Sequence, residues 1–527
     1  MGKIKALYAG VLVIIQLAVL VFFFASIPPE GGLPFDDAWI HLVFARNLAE
    51  QGQMGFNPGS WSGGTTSPLW DVLLAIGYRL SGHMLATAYI LGSACYLGTS
   101  LSLFLFLDKA FEGLEGGQEA SLVATVGFAI TGYIPYLALS GMDTLLFLAL
   151  ALGSLASFVY RKYFLSGCLL AALILTRIEG AGLAFLLCLA VGIRGWRYRK
   201  WRHIIGVIAP AAFAFIVYML FNWSITGSYL PTTMIGRKWL WGLPDALRAF
   251  DFHRTRRFFI DWKHLITAFV LVDEGWIRTL FAGVLGVIGV IALLSGLIPS
   301  NEIFLLIGWV FIHNLTYILL APVAFLRYQV PNLILMPVLI IIGWLWVTRI
   351  MQPYFQKWLM LGAGVAILLC FLPGTIAYRQ IFAWNVAHIN QVHVKAGKWI
   401  SAHLPEDTIV AAFDIGAIKY FGNRQLLDLG GLVDPNFART YLYPGRVVDY
   451  LYEHRVSYLA MPEPYPGQTD LKSRLGFYRE DQASKMQLRP IITFEIEPYI
   501  RPPFTLNRYQ FYTAYLRVTI YEIKWLH

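Results

Sequence analysis

Long apolar segments divide this chain of 527 residues, and they decide what it can fold into. A helix that crosses the hydrocarbon core of a bilayer needs about 20 apolar residues, and only helices and closed barrels satisfy their backbone polar groups inside lipid. Charged residues make up 14% of the chain, against about 25% in soluble domains, which excludes an ordinary soluble enzyme. The sequence therefore predicts a polytopic α-helical membrane protein. Its eleven predicted membrane helices, two of them short, cover residues 4–27, 84–107, 119–138, 141–160, 166–176, 180–193, 203–223, 277–298, 302–320, 325–348 and 355–378.

Basic residues between these helices predict how the chain is oriented, because Lys and Arg favour the cytoplasmic side of a membrane. They lie at the start of the chain and at three later turns: Lys3, Lys5; Arg161, Lys162; Arg194, Arg197, Arg199, Lys200, Arg202; Arg349 and Lys357. These positions agree if the N-terminus is cytoplasmic and residues 67–80 form an amphipathic or re-entrant helix on the outer side. Residues 28–83, called the outer loop from here on, and residues 224–276 then lie outside. The net charge of +10 is explained by these turns and their contact with membrane lipids, so no nucleic-acid partner is predicted.

The composition changes after Arg379, where charged residues become frequent and apolar runs shrink to the length of strands. Residues 1–379 are therefore predicted to form the membrane module, and residues 380–527 an extracytoplasmic α/β domain. A short helix is predicted from about residue 415. The predicted strands of this domain are Thr408–Phe413, Gln425–Leu429, Arg455–Met461, Ile491–Ile496 and Tyr509–Tyr521, the last with alternating polarity.

Two adjacent carboxylates follow the first membrane helix, in the run Phe35-Asp36-Asp37-Ala38-Trp39-Ile40-His41. Charges at a membrane surface cost desolvation unless they have a partner or a function. A carboxylate there can accept a proton from an attacking hydroxyl or bind a cation through oxygen. The alternative is helix capping, with Asp36 as the N-cap of an amphipathic helix 37–51 and Asp37 in its first turn. His41 lies one turn after Asp37, so the two can hold a divalent cation (Mg²⁺, Mn²⁺ or Ca²⁺), or His41 can form a hydrogen bond at the interface.

Other polar residues interrupt apolar surroundings on the predicted outer side: Asp143, Arg177, Glu179, Lys238 and Arg327 with Tyr328. Several have a plain structural interpretation, since Asp143 can cap a helix, Arg177 can pair with Glu179, and Arg327 can anchor at the interface. Together with the two adjacent carboxylates, they place cations and carboxylates around one cavity. Such a set suits a lipid-linked phosphate held beside a hydroxyl, because basic side chains bind the phosphate and offset its charge as it leaves.

Short motifs occur in a fixed order between residues 35 and 435: Phe35-Asp36-Asp37-Ala38-Trp39-Ile40, Asn57-Pro58-Gly59, Thr65-Thr66-Ser67-Pro68-Leu69-Trp70, Ser140-Gly141-Met142-Asp143, Thr176-Arg177-Ile178-Glu179-Gly180, Gly227-Ser228-Tyr229-Leu230-Pro231, Arg327-Tyr328, Asp414-Ile415-Gly416-Ala417-Ile418 and Asp428-Leu429-Gly430-Gly431-Leu432-Val433-Asp434-Pro435. With these runs the sequence resembles the GT-C glycosyltransferases, and most of all bacterial relatives of the mycobacterial arabinofuranosyltransferases. More distant relatives are the aminoarabinose transferases and the protein mannosyltransferases. The chain departs from the family at Asp143, where Glu is usual, at Ile178, where Pro is usual, and at Thr232-Thr233, where Asn-Thr is usual.

The resemblance implies an enzyme of the bacterial plasma membrane that moves a sugar, with inversion, from a polyprenyl-phosphate donor to an extracytoplasmic glycan, lipid or protein acceptor. By the family motif, Asp36 is the expected base, and Asp37 tunes it, positions the acceptor or helps hold a cation. Because the lipid phosphate already leaves well, one base and phosphate-binding cations suffice. The remaining expectations are donor phosphate binding by Arg327, Lys238 and Arg177, and substrate binding by Glu179, Asp143, Tyr328 and His41.

Three other functions fit parts of the sequence. A transporter or flippase of lipid-linked sugars also needs a cavity lined by cations, but it predicts polar groups at the membrane midplane and repeated halves, which the sequence lacks. A ligase or polymerase of the O-antigen type, acting on diphosphate-linked glycans, requires more arginines at the outer cavity. The C-terminal domain can also serve only to bind a glycan chain.

Overall fold

The computed structural model describes residues 2–197, 199–229, 231–233, 256, 276–296, 301–320, 326–350, 356–440, 446–463, 470–496 and 517–526. The helices of the membrane module and its outer loop are α1 (Lys3–Phe24), α2 (Asp36–Gln51), α3 (Pro68–Ser81), α4 (Met84–Ala110), α5 (Gly117–Ala129), α6 (Tyr133–Ala138), α7 (Thr144–Val159), α8 (Tyr163–Thr176), α9 (Ala181–Arg197), α10 (Trp201–Thr226), α11 (Trp276–Leu294), α12 (Asn301–Leu320), α13 (Val330–Ile350) and α14 (Gln356–Ile389). The C-terminal elements are α15 (Lys395–His403), β1 (Ile409–Ala412), α16 (Gly416–Gly422), β2 (Gln425–Asp428), α17 (Pro435–Thr440), α18 (Val447–Glu453), β3 (Tyr458–Pro462), α19 (Leu471–Arg474), α20 (Glu480–Ala483), β4 (Met486–Glu495) and β5 (Arg517–Trp525).

The membrane module is helical, as predicted. Within the part of the chain that the structure describes, six helices are long and apolar enough to cross a membrane, and four more are apolar but shorter. The predicted segment 119–138 is divided into α5 and α6, at a point where a Cβ atom on Gly132 would lie 2.4 Å from the carbonyl oxygen of Gly374. The last predicted segment is longer than expected, because α14 continues past residue 379 to Ile389 and reaches α15 through the π-helical turn Asn390–Val394. The chain is therefore an integral membrane protein whose membrane module continues as helix into its C-terminal domain.

Glycines bring membrane helices into backbone contact. A Cβ atom on Gly167 of α8 would lie 2.2 Å from the carbonyl oxygen of Gly206 on α10, and one on Gly289 of α11 would lie 2.2 Å from that of Leu339 on α13. Lipid is as apolar as the side chains it surrounds, so close packing of small residues replaces the hydrophobic effect as the main attraction between such helices.

The C-terminal domain contains a five-stranded sheet with the order β2-β1-β3-β5-β4. Strand β1 pairs in parallel with β2 and β3, and β5 pairs antiparallel with β3 and β4. The first three strands lie where the sequence predicts them. Strand β4 begins at Met486, five residues before the predicted start at Ile491, and the predicted stretch 509–516 lies outside the described residues.

The C-terminal domain packs directly on the outer loop. Trp39 of α2 is buried against Tyr420 and Phe421 of α16, with ring centroids 5.0 and 4.9 Å apart. Arg46 stacks on the Tyr420 ring and donates a hydrogen bond of 3.0 Å to its carbonyl oxygen. Farther along the loop, the Asn57 amide donates to the Leu426 carbonyl oxygen and accepts from the Leu426 N–H. The outer loop and the C-terminal domain thus lie together at one end of the helical module.

Candidate active site

A cavity of about 310 Å³ lies where the membrane helices, the outer loop and the C-terminal domain meet. Segments far apart in the chain contribute to its walls, and polar side chains are concentrated on two of them, the outer loop and the break between α8 and α9. The lining residues are Asp37, Ile40, His41, Gly64, Thr65, Thr66, Met142, Asp143, Arg177, Ile178, Glu179, Ala181, Gly182, Tyr218, Pro231, Thr233, Thr316, Tyr317, Tyr328, Leu432 and Val433.

The two adjacent carboxylates at the start of α2 point to different surroundings. Asp36 is 4% exposed, and its carboxylate oxygens accept the backbone N–H groups of Gly416 and Ala417, at 2.8 and 2.9 Å. Burial raises the pKa of Asp36 to about 6, against the opposing effects of His393 and of these two hydrogen bonds. The Asp37 side chain is 37% exposed and lines the cavity. The expected base, Asp36, therefore lies outside the cavity wall and holds the C-terminal domain, because both of its oxygens are occupied by α16.

Arg327 lies in the 3₁₀ turn Leu326–Tyr328 and pairs with the Asp37 carboxylate. Its guanidinium stacks between the rings of Phe35 and Tyr328, at 5.7 and 5.0 Å from their centroids. A membrane anchor would extend its charge toward water, whereas this side chain is 12% exposed and faces a carboxylate. The structure thus brings together Asp37, Arg327 and Tyr328, three of the residues predicted for the site.

The second polar wall is an arginine cluster made of Arg177, Glu179 and Tyr317. Helix α8 ends at Thr176, and Arg177 takes an extended conformation before the 3₁₀ turn Ile178–Gly180. Its Nε and Nη2 atoms donate to the Glu179 carboxylate at 3.1 and 2.9 Å, and Nη2 also donates to the Tyr317 hydroxyl at 3.1 Å. That hydroxyl in turn donates to Glu179 at 2.5 Å. The pairing of Arg177 with Glu179, one of the two sequence interpretations, is present, and Tyr317 of α12 is an addition that the sequence analysis missed.

Asp143, at the start of α7, lies next to the arginine cluster. It precedes α7, but its side chain forms no capping hydrogen bond there, so the capping interpretation does not describe it. Its carboxylate is buried and lies 4.0 Å from Nε of Arg177. The Trp70 indole of α3 donates to the Gly141 carbonyl oxygen at 3.0 Å, which fixes the turn before Asp143 against the outer loop.

His41 is part of a buried network within the outer loop. Its Nδ1 lies 2.7 Å from the Asp71 carboxylate, which also accepts the hydroxyl proton of Thr65. Burial lowers and the Asp71 carboxylate raises the pKa of His41, and the net shift is upward. Within the described ranges, no three His, Cys, Asp or Glu side chains are grouped so as to hold a metal ion. The interfacial hydrogen bond expected for His41 is present, with a partner that the sequence analysis did not single out.

The remaining predicted site residue, Lys238, lies outside the described residues. Two kinds of lining residue escaped the sequence analysis. Tyr218 and Tyr317 are embedded in apolar membrane segments, where an aromatic residue gives no distinct signal. Leu432 and Val433 are aliphatic residues of the C-terminal domain, although their loop belongs to one of the resembling runs.

Comparison with known proteins matches the fold to a class of membrane enzymes. A family model described as a domain of unknown function (DUF8728) matches residues 382–512, and no curated protein matches the chain. Among solved structures, ArnT from Cupriavidus metallidurans bound to undecaprenyl phosphate is similar, with a TM-score of 0.53, 11% identity, and coverage of 97% of this chain and 98% of that one. Its apo state gives a TM-score of 0.52 at 10% identity, over 97% of each chain.

A third similar structure is the Archaeoglobus fulgidus oligosaccharyltransferase tethered with an acceptor peptide. Its TM-score is 0.52 at 10% identity, and the match covers 94% of this chain and 75% of that one. The protein therefore has the fold of the GT-C membrane enzymes. The narrower likeness to arabinofuranosyltransferases stays a prediction from the sequence.

Proposed function

We propose that this protein is an inverting glycosyltransferase that moves a sugar from a polyprenyl-phosphate donor to an extracytoplasmic glycan, lipid or protein acceptor. The observation that carries the proposal is the cavity at the junction of the two modules, where Asp37 and the arginine cluster line the same space. The similar structures add support, since one of them binds undecaprenyl phosphate and another holds an acceptor peptide.

Asp37 takes the role of base in this proposal, in place of Asp36. An acceptor hydroxyl is a poor nucleophile until a base removes its proton, and such a base must reach the substrate. The Asp37 carboxylate faces the cavity, whereas both oxygens of Asp36 are bonded to α16. Arg327 pairs with Asp37 and is itself stacked between two rings, so it fixes the direction in which the carboxylate points.

The arginine cluster takes the role of phosphate site. Arg177 is buried and already has Glu179 and Asp143 as neighbours, so its charge is held in place before a ligand arrives and no side-chain ordering is needed on binding. Guanidinium groups bind phosphate through a planar set of donors. Glu179 and Asp143 are then available to accept hydrogen bonds from sugar hydroxyls.

The test is sugar transfer by the purified protein in lipid nanodiscs, with a labelled undecaprenyl-phosphate sugar and a membrane glycan fraction as acceptor. Asp37→Asn is expected to lower the rate by about 10²- to 10⁴-fold, the usual contribution of a general base, while undecaprenyl phosphate binds as before. The matched control is Asp470→Asn, a carboxylate of the C-terminal domain that receives a backbone N–H at the start of α19. Native transfer by the Asp37 variant would contradict its role as base. In liposomes that contain the protein, movement of the donor from one leaflet to the other without transfer would indicate a transporter.

A further inference from the structure

One wall of the cavity is a loop of the C-terminal domain. Leu432 and Val433 line the cavity, although most of the other lining residues belong to the membrane module and its outer loop. The loop runs from Asp428, the last residue of β2, to Val433. We call these residues the wall loop. The volume open to a substrate thus depends on where this loop lies.

A single carboxylate determines the shape of the wall loop. Asp428 is fully buried, and its oxygens accept the backbone N–H groups of Gly430, Leu432 and Val433, at 2.7, 2.5 and 2.7 Å. Gly431 between them has φ of +63°, a conformation that other residues avoid. Because three donors converge on one side chain, a change at Asp428 weakens at once several of the hydrogen bonds that hold the loop.

The wall loop rests on the outer loop with no space between the two backbones. The Ser62 hydroxyl donates to the Val433 carbonyl oxygen at 2.7 Å, and a Cβ atom on Gly64 would lie 2.5 Å from the Val433 Cα atom. The neighbouring residue Gly63 contacts another segment, since its carbonyl oxygen accepts the Thr232 N–H at 3.1 Å. Thr65 and Thr66, which follow Gly64 in the outer loop, also line the cavity. The wall loop therefore encloses the side of the cavity that carries the outer-loop hydroxyl groups.

We propose that the wall loop limits the size of the group that can enter the cavity, and that Asp428 is its positioning residue. Asp428 acts through the loop and reaches no substrate itself, while the aliphatic side chains of Leu432 and Val433 supply the contact surface. The proposal rests on the proposed function only in naming the entering group as part of a sugar donor or an acceptor. The size limit itself is a property of the wall and holds whatever the cavity binds.

The experiment measures access to the cavity through a cysteine placed in its lining. Thr66→Cys is introduced into a full-length chain whose four native cysteines are replaced by alanine. Its labelling rate is measured in nanodiscs with a small methanethiosulfonate and with a bulky dye maleimide. We expect Asp428→Asn to raise the rate with the bulky reagent by at least about tenfold, the equivalent of one lost hydrogen bond to a charged acceptor. The rate with the small reagent should stay within about twofold.

Two further variants keep the outcome decisive. Asp470→Asn serves as the matched control and should leave both labelling rates unchanged. Leu432→Ala shortens a side chain of the wall and keeps the backbone hydrogen bonds to Asp428. It should also raise the labelling rate with the bulky reagent, and it provides the test if the Asp428 variant does not fold. The proposal would be overturned if neither Asp428→Asn nor Leu432→Ala raised the labelling rate with the bulky reagent relative to the parent Thr66→Cys protein. The labelling experiment does not depend on sugar transfer. If the protein labels as expected but transfers no sugar, the size limit set by the wall loop stands and the proposed enzyme activity does not.

Discussion

The substitution Gly416→Ala tests whether the C-terminal domain and the outer loop form one unit. Gly416 is the first residue of α16, and a Cβ atom there would lie 2.0 Å from the carbonyl oxygen of Asp36 and 3.0 Å from one of its carboxylate oxygens. An ordinary contact of this kind is about 3.4 Å, so α16 and α2 must separate by about 1.4 Å. The two hydrogen bonds to the Asp36 carboxylate, now 2.8 and 2.9 Å, would then exceed the range in which such bonds form.

The expected cost follows from these distances. Overpacking costs about 1–3 kcal/mol, and a buried group left without its hydrogen bonds costs about 1–3 kcal/mol more, which gives a loss of roughly 2–6 kcal/mol in the free energy of unfolding. For a domain of this size the melting temperature should fall by roughly 10 °C. Sugar transfer should fall by about a hundredfold or more, because misplacement of a wall by 1 Å disturbs the reacting geometry.

The matched control lies at the other end of the same helix. A Cβ atom on Gly422 would meet its nearest neighbours at 3.4 Å or more, and alanine favours a helix over glycine by about 1 kcal/mol. Gly422→Ala should therefore leave the melting temperature unchanged or slightly higher. Thermal unfolding in detergent and limited proteolysis between the modules measure both variants. If Gly416→Ala were as stable and as active as Gly422→Ala, the close contact between α16 and α2 would not exist as described.

The remaining predictions concern the cavity and its supports. Asp36→Asn adds no bulk and keeps one oxygen that can accept an N–H group of α16, so it should displace the domain less than Gly416→Ala does. It should transfer sugar within about tenfold of the native rate per folded molecule; loss on the scale of a general base without a fall in melting temperature would return the role of base to Asp36. Tyr317→Phe removes a hydroxyl that both donates and accepts in the arginine cluster, and it should weaken undecaprenyl phosphate binding by about tenfold, with unchanged affinity as the contrary result. The raised pKa of His41 means that its pairing with Asp71 stabilises the fold fully below pH 6.5 and less as the pH rises through the folded pKa. The melting temperature should therefore fall with pH above 6.5, and Asp71→Asn should flatten that slope; an equal slope in both proteins would refute the pairing.

The membrane helices could be predicted from the sequence because a single property, apolar length, determines them. The break at residues 177–179 was predicted for a similar reason, since two charges interrupt an apolar run and are close enough to pair. The partner of that pair could not be predicted. Tyr317 is about 140 residues away, in a segment where an aromatic residue also fits the membrane and gives no separate signal.

The positions of Asp36 and Asp37 in the structure show what the sequence could not predict. Neighbouring residues of a helix point about 100° apart, so one of two adjacent carboxylates can face a cavity while the other faces a packed domain. Which one faces which depends on the position of α16, which follows about 380 residues later. The family motif singles out the first carboxylate, and the geometry places the second one in the cavity. Asp71 escaped for a related reason, because an acidic residue in a short amphipathic helix usually faces water.

Leu432 and Val433 belong to the region that matches a domain of unknown function, and they form part of the cavity wall. Without the C-terminal domain the cavity would be open on the side of the outer loop, because Gly64, next to the lining residues Thr65 and Thr66, would lose the Val433 backbone that now packs against it. The C-terminal domain closes that side, and it is held there by Asp36, Trp39 and the hydrogen bonds of Asn57. These supports join the same outer loop that carries the proposed base, so we expect a displacement of the domain to change the direction of α2 as well. Enclosure of the cavity and orientation of Asp37 are therefore expected to change together, most strongly in a variant such as Gly416→Ala that pushes α16 away from α2.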